Sequence, residues 1–234
     1  MHPPQLQAIL DRSLTSVHDH ATHALKPIYR AEVYTFFGAI SQPAGYLRHT
    51  TLALTAARHV QLLWNEHRPD DKQLERLLAL TEGVLSGTTN VDQMQEEREK
   101  ATKWLHEYDV LTSETFPLEP LEERTYQTFG EDLRQATAVN ESVPDAAYFS
   151  LLTAVAVGVT VLGSNPYEGM SGSDFENYAD AFGEVLELGD EAALSASCAY
   201  AGNFWKPSKE RRLHYWTWWL TEAVPASWNA AEKR

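Results

Sequence analysis

An all-α fold follows from three features of this 234-residue chain. Apolar residues recur at three- and four-residue spacing, proline and glycine punctuate those stretches at helix-terminal positions, and no strict alternation flanked by turn pairs calls for a strand. The expectation is a single-domain bundle of roughly nine to ten helices, counted from the start and stop signals. With 43% hydrophobic residues, a chain of this size buries a substantial core. No Gly/Ser linker, composition break or fixed repeat divides it, and the segment from Ser113 to Pro120 is the one place where two helical layers would separate.

The elements can be placed in order. Ile9, Leu10, Leu14, Val17 and Leu25 mark a first helix from Gln5 to Leu25, closed by Pro27, and a second runs from about Ile28 to Ile40. After the turn signal Gln42-Pro43-Ala44-Gly45, a long buried helix carries Leu47, Leu52, Leu54, Ala57, Val60, Leu63 and Trp64 and stops at Pro69. Asp70 or Asp71 caps the next, whose core face is Leu74, Leu77, Leu78, Val84 and Leu85, and Gly87 ends it in a left-handed conformation. Asn90 caps a mostly solvent-facing helix through His106, supported by Glu96 and Lys100 at i, i+4.

Pro117 and Pro120 precede a helix from about Leu121 to Ala138, and Pro144 opens an apolar one. Gly163, Pro166, Gly169 and Gly172 make the following stretch a loop. Ser173 and Glu176 form a capping box for a helix ending near Gly189. Asp190 caps another through Tyr200, and Ser208 caps the last long helix, which Pro225 interrupts.

Charge narrows the partners. The formal net charge is -14 and the isoelectric point about 5.0, which opposes general binding to DNA or RNA and favours basic protein surfaces. The single Cys198 excludes both an intramolecular disulfide framework and a zinc site built from several cysteines, and fits a reducing compartment. Met1 to Leu10 shows no secretory pattern. The uncharged run Ala146 to Tyr167 holds too many serines, threonines, glycines and a proline for a membrane span, so a buried core helix is expected. A cytoplasmic protein without a cofactor is the resulting picture.

Between Gln135 and Trp205 there is no lysine, arginine or histidine, while acids accumulate: Glu141, Asp145, Glu168, Asp174, Glu176, Asp180, Glu184, Glu187, Asp190 and Glu191. Neighbouring carboxylates repel, so a basic partner, a cation or a repulsive role should offset that cost. Glu176, Asp180, Glu184 and Glu187 fall at i, i+4, i+8 and i+11, a stripe along one helix face. A solvated outer face is the plain alternative, and the lack of any lysine or arginine on that helix favours a binding face.

Other motifs carry less. His18, Asp19, His20 and His23 are the nearest approach to a metal cluster, but on a helix His18 and His20 are about 200° apart. Solvent-facing side chains on a helix end explain them unless a further ligand comes from elsewhere. Gly169-Met170-Ser171-Gly172-Ser173 lacks both the spacing and the preceding strand of a nucleophile elbow, and no lysine makes it a phosphate loop. Cys198, among alanines and serines, reads as a small core residue at close helix packing. The acids follow neither an EF-hand loop nor a Glu-x-x-His pair.

Five of the seven tryptophans lie in the last thirty residues: Trp205, Trp216, Trp218, Trp219 and Trp228. Leu213, Trp216, Leu220 and Ala223 share one helix face with Trp219, while Trp218 is offset and is the one expected to project outward. Arg211-Arg212-Leu213-His214-Tyr215-Trp216-Thr217-Trp218-Trp219-Leu220 is followed by Glu222-Ala223-Val224-Pro225-Ala226. Ahead of it stand Ala193, Ala196, Ala199, Tyr200, Ala201 and Gly202. In these residues the chain resembles the Imm5 family, immunity proteins of bacterial polymorphic toxin systems. A weaker similarity covers Leu63 to Gly87, and the first forty residues carry no such resemblance.

The resemblance implies a helical protein without enzymatic activity that binds and neutralises a cognate toxin. The residues suggest how. Asp174, Glu176, Asp180, Glu184, Glu187, Asp190 and Glu191 would dock on a basic cleft, with Trp218 as an aromatic contact. Two rival expectations remain: a metal-dependent enzyme using His18, His20 and His23 or the acids, and a structural protein that self-associates as a homodimer through its Trp-rich helix.

Overall fold

The computed structural model describes residues 2–114, 145–170, 174, 191–202 and 207–232. Those residues form helices and connections, with no strand among them. The helices are α1 (Pro4–Asp19), α2 (Pro27–Phe37), α3 (Pro43–His67), α4 (Gln73–Ser86), α5 (Val91–Glu114), α6 (Asp145–Val161), α7 (Ala192–Ala201), α8 (Lys209–Trp218), a π-helical turn (Trp219–Ala223) and α9 (Val224–Glu232). The expected helix from Leu121 to Ala138, the Ser173–Glu176 capping box and its helix, the Asp190 cap and Trp205 fall outside the described residues.

Proline sets the starts of the first three helices. Pro4, Pro27 and Pro43 stand in their first turns, where a missing N–H leaves no bond unmade and the fixed φ suits the coil. Pro27 therefore opens α2 instead of merely closing α1, which stops earlier, at Asp19. Likewise Gln42-Pro43-Ala44-Gly45 is the entry to α3 and not a turn ahead of it. Gly45 is needed there: a Cβ at that position would lie 2.2 Å from the Ala39 carbonyl oxygen.

Side-chain caps follow the local chemistry. Asn90 Oδ1 accepts the Asp92 N–H at 3.1 Å and Ser208 Oγ accepts the Arg211 N–H at 3.3 Å, whereas Lys72 takes the N-cap position of α4 and Asp71, one residue earlier, accepts the Gln73 N–H at 2.9 Å. Gly87 ends α4 with φ 72, the left-handed position that a side chain would disfavour.

The core is organised around α3 and α6. Helix α6 carries apolar residues around its circumference, is buried over most of its length, and packs against α3, α4, α5 and α7. Gly158 lets α5 come close, because a Cβ there would meet Arg98 Cδ at 2.9 Å. Helix α7, nearly all alanine, serine and cysteine, is buried along its length and sits tightly on α6 and α3. Cys198 is one of its buried residues. Trp64 of α3 is fully enclosed and donates its Nε1–H to the Asp71 carbonyl at 2.9 Å, tying α3 to the entry of α4. Helix α5 turns Met94, Ala101 and Leu105 inward and leaves much of the rest to solvent.

Pro225 does not end the last helix. A proline inside a coil has no N–H for the carbonyl four residues back and its ring crowds that carbonyl. The π turn just before it resolves the conflict: the Val224 N–H reaches back five residues to the Trp219 carbonyl, and the helix resumes through Glu232. Among the described residues, no helix is long and apolar enough to cross a membrane.

Candidate partner-binding surface

The acids expected to form a docking face separate in the structure. Asp174 is exposed, whereas Glu176, Asp180, Glu184, Glu187 and Asp190 lie outside the described residues. Glu191 does not belong on such a face. It is 2% exposed and pairs with Arg30 of α2, which is itself fully buried. As the residue before α7 it makes no side-chain cap, because its carboxylate turns inward to the guanidinium.

A tyrosine completes that inner cluster. Tyr167 OH donates to Glu191 Oε1 at 2.6 Å and accepts from Arg30 Nε at 3.0 Å. Arg30 Nη1 donates to the Leu25 carbonyl at 2.5 Å, and its guanidinium lies 5.6 Å from the Trp216 ring centre. Burial, with the adjacent carboxylate assisting, holds the Tyr167 phenol well above its ordinary range, so it remains a proton donor. The cluster joins α2, the loop after α6, α7 and α8. Two ions withdrawn from water in this way require each other, since either alone would be a buried unpaired charge.

On the opposite side of α8 the same kinds of side chain meet solvent. Trp218, expected to project freely, is half-buried and stacks on His59 of α3, with ring centres 3.6 Å apart and planes 16° apart. Tyr200 of α7 stacks on His214, its hydroxyl 2.9 Å from His214 Nδ1, and Arg211 lies over the Tyr200 ring at 5.2 Å. His59 and Tyr200 approach to 5.2 Å, which joins the two stacks. Burial, helped by the charge of His214, pushes the His59 pKa down, so His59 favours the neutral form that stacks on an indole. One turn along α3, Leu62 is 69% exposed. Sequence reasoning missed His59 and Leu62, which sit on a helix whose pattern reads as core.

The histidine cluster near the N-terminus is not assembled as a metal site. Helix α1 ends before His20, and His23 takes a left-handed φ of 54. His20 Nδ1 accepts the Thr22 N–H at 3.3 Å, and His23 Nδ1 donates to the Val17 carbonyl at 2.9 Å. Among the described residues, no three His, Cys, Asp or Glu side chains are grouped to hold a metal ion. A shallow depression lies at the turn from α3 to α4, lined by His67 to Lys72 and Arg76. Its cations are matched: Arg68 with Asp71, Lys72 with Glu75, and Arg76 with Glu97.

Residues 10–117 match the family model of immunity protein Imm5. Over that segment the chain is similar to the Imm5 family. The Imm5 match takes in most of α1 and all of α2 to α5, with Arg30, His59 and Leu62. It includes residues 10–40, which resembled nothing when read alone, and the Leu63–Gly87 segment. The Trp-rich stretch that carried the resemblance lies beyond it. Among curated proteins, none matches this chain.

Proposed function

We propose that this chain is an immunity protein of a bacterial polymorphic toxin system, one that binds a cognate toxin in the cytoplasm and neutralises it without catalysing a reaction. The Imm5 match over residues 10–117 carries the reading. The charge supports a mechanism. A net charge of -14 attracts a basic active-site cleft over several ångströms of solvent, speeding encounter, and contact over the cleft then blocks it sterically. The acidic face is Asp174, Glu176, Asp180, Glu184, Glu187 and Asp190; Glu191 is left out because its charge is consumed internally by Arg30.

Co-expression with a candidate toxin domain taken from a neighbouring gene tests the function. A stable complex on size exclusion and restored growth are expected; toxicity that persists with no complex overturns the reading. The electrostatic part has its own measurement. Association should slow roughly tenfold or more from low to physiological salt, and Asp174→Lys should slow it at low salt, whereas a rate indifferent to salt would rule steering out.

A further inference from the structure

We propose that Leu62, Tyr200, Arg211, His214 and Trp218 form a second docking surface, which takes a segment of the toxin presenting a carboxylate beside an apolar side chain. The proposal rests on the immunity reading and adds where, and with what chemistry, the partner is held.

Composition is the first argument. Tryptophan, tyrosine and arginine dominate the energetics of protein interfaces, and here Trp218 and Tyr200 meet His59, one turn from a leucine left 69% exposed, with Arg211 over the Tyr200 ring. Order is the second. Trp218 is fixed by its stack on His59, and the His214 ring by both the Tyr200 ring and its hydroxyl. Side chains already held in place lose little conformational freedom when a partner arrives.

Charge complementarity identifies the occupant. Arg12, Arg30, Arg58, Arg68 and Arg76 each pair with a carboxylate of this chain. Arg211 has no such partner among the described residues; it lies over Tyr200 beside exposed His214, so an open guanidinium stands on a protein of net charge -14. A guanidinium backed by an aromatic ring presents its fork to a planar carboxylate. The surface also has a direction. Exposed Glu222 stands one turn beyond Trp218, at the end of the α8 ridge away from Arg211. The partner's carboxylate therefore seats at the Arg211–His214 end and its apolar side chain against Leu62 and Trp218.

The test measures affinity for the candidate toxin domain with Leu62→Glu, Arg211→Gln, Arg211→Lys and the Leu62→Glu/Arg211→Gln double variant, each checked for an unchanged urea midpoint. The double variant should bind roughly 30-fold more weakly, mainly through faster dissociation, as for loss of an interface anchor. Arg211→Lys should retain more affinity than Arg211→Gln. If the double variant binds like the wild type, the surface is wrong while the immunity function stands. If Arg211→Gln alone binds like the wild type, the carboxylate assignment is wrong. A wild-type chain that forms no complex overturns the function itself, and this inference with it.

Discussion

Arg30 and Arg211 both lie over aromatic rings near the C-terminal helices, Arg30 5.6 Å from Trp216 and Arg211 5.2 Å from Tyr200, yet their surroundings are opposite. Arg30 is sealed from water with Glu191 and Tyr167, and Arg211 is exposed beside His214. The helical phase of α8 makes the division. Trp216 turns into the protein, about 140° around the helix from Arg211, while Arg211 and His214 turn out. The same chemistry holds elements together where water is excluded and remains available to a partner where it is not.

The largest effect expected from breaking the inner side is on stability. Arg30→Met alone, or Glu191→Leu alone, should destabilise the fold by about 3–5 kcal/mol in urea titration, because each leaves a buried charge unpaired. The double variant should recover much of the loss. Singles that cost no more than a surface substitution would show that the two clusters do not differ as argued. Tyr167→Phe removes the hydroxyl between the two ions, and a smaller loss of about 1–3 kcal/mol is expected by the same measurement.

Acid sharpens the comparison further. His59 is held below its ordinary value near 6.5 in the folded chain, mainly by burial. The unfolded chain therefore takes up the proton first, so the stability His59 contributes is present above about pH 6.5 and lost as pH falls toward the folded value. His49, buried with its Nε2–H on the Gly38 carbonyl, is shifted the same way. Denaturation at pH 7.5 and 5.5 should show lower stability in acid, and His59→Gln should reduce the difference. The smallest effect belongs to the outer arginine. Arg211→Gln should leave the urea midpoint where it was, and a clear shift would mean that this side chain serves the fold.

What the sequence revealed was what local chemistry determines. Asn90, Ser208 and Gly87 act within a few residues of themselves, so their roles as caps and stop are readable in the sequence. The pairing of Arg30 with Glu191 spans 161 positions and leaves no mark in spacing, which is why Glu191 was placed among the docking acids. His59 and Leu62 were hidden for a related reason: they lie on a helix rich in core residues, and only packing shows which of its positions remain open. The Imm5 resemblance rests mainly on the Trp-rich end, whereas the family match falls on residues 10–117 and takes in only the weaker Leu63–Gly87 similarity.

The wide turn at Trp219–Ala223 has a consequence for the tryptophans on either side of it. Trp216 and Trp228 are twelve positions apart, which on an unbroken coil would point them about 120° apart. One residue taken up by the bulge brings them to within about 20°. Both then face α2: Trp216 beneath Arg30, and Trp228 against Phe36 and Phe37 with the Arg48 guanidinium 3.6 Å above its ring. Shortening the chain by one residue here would restore a uniform spiral and swing Trp228 off the seat that anchors the C-terminus.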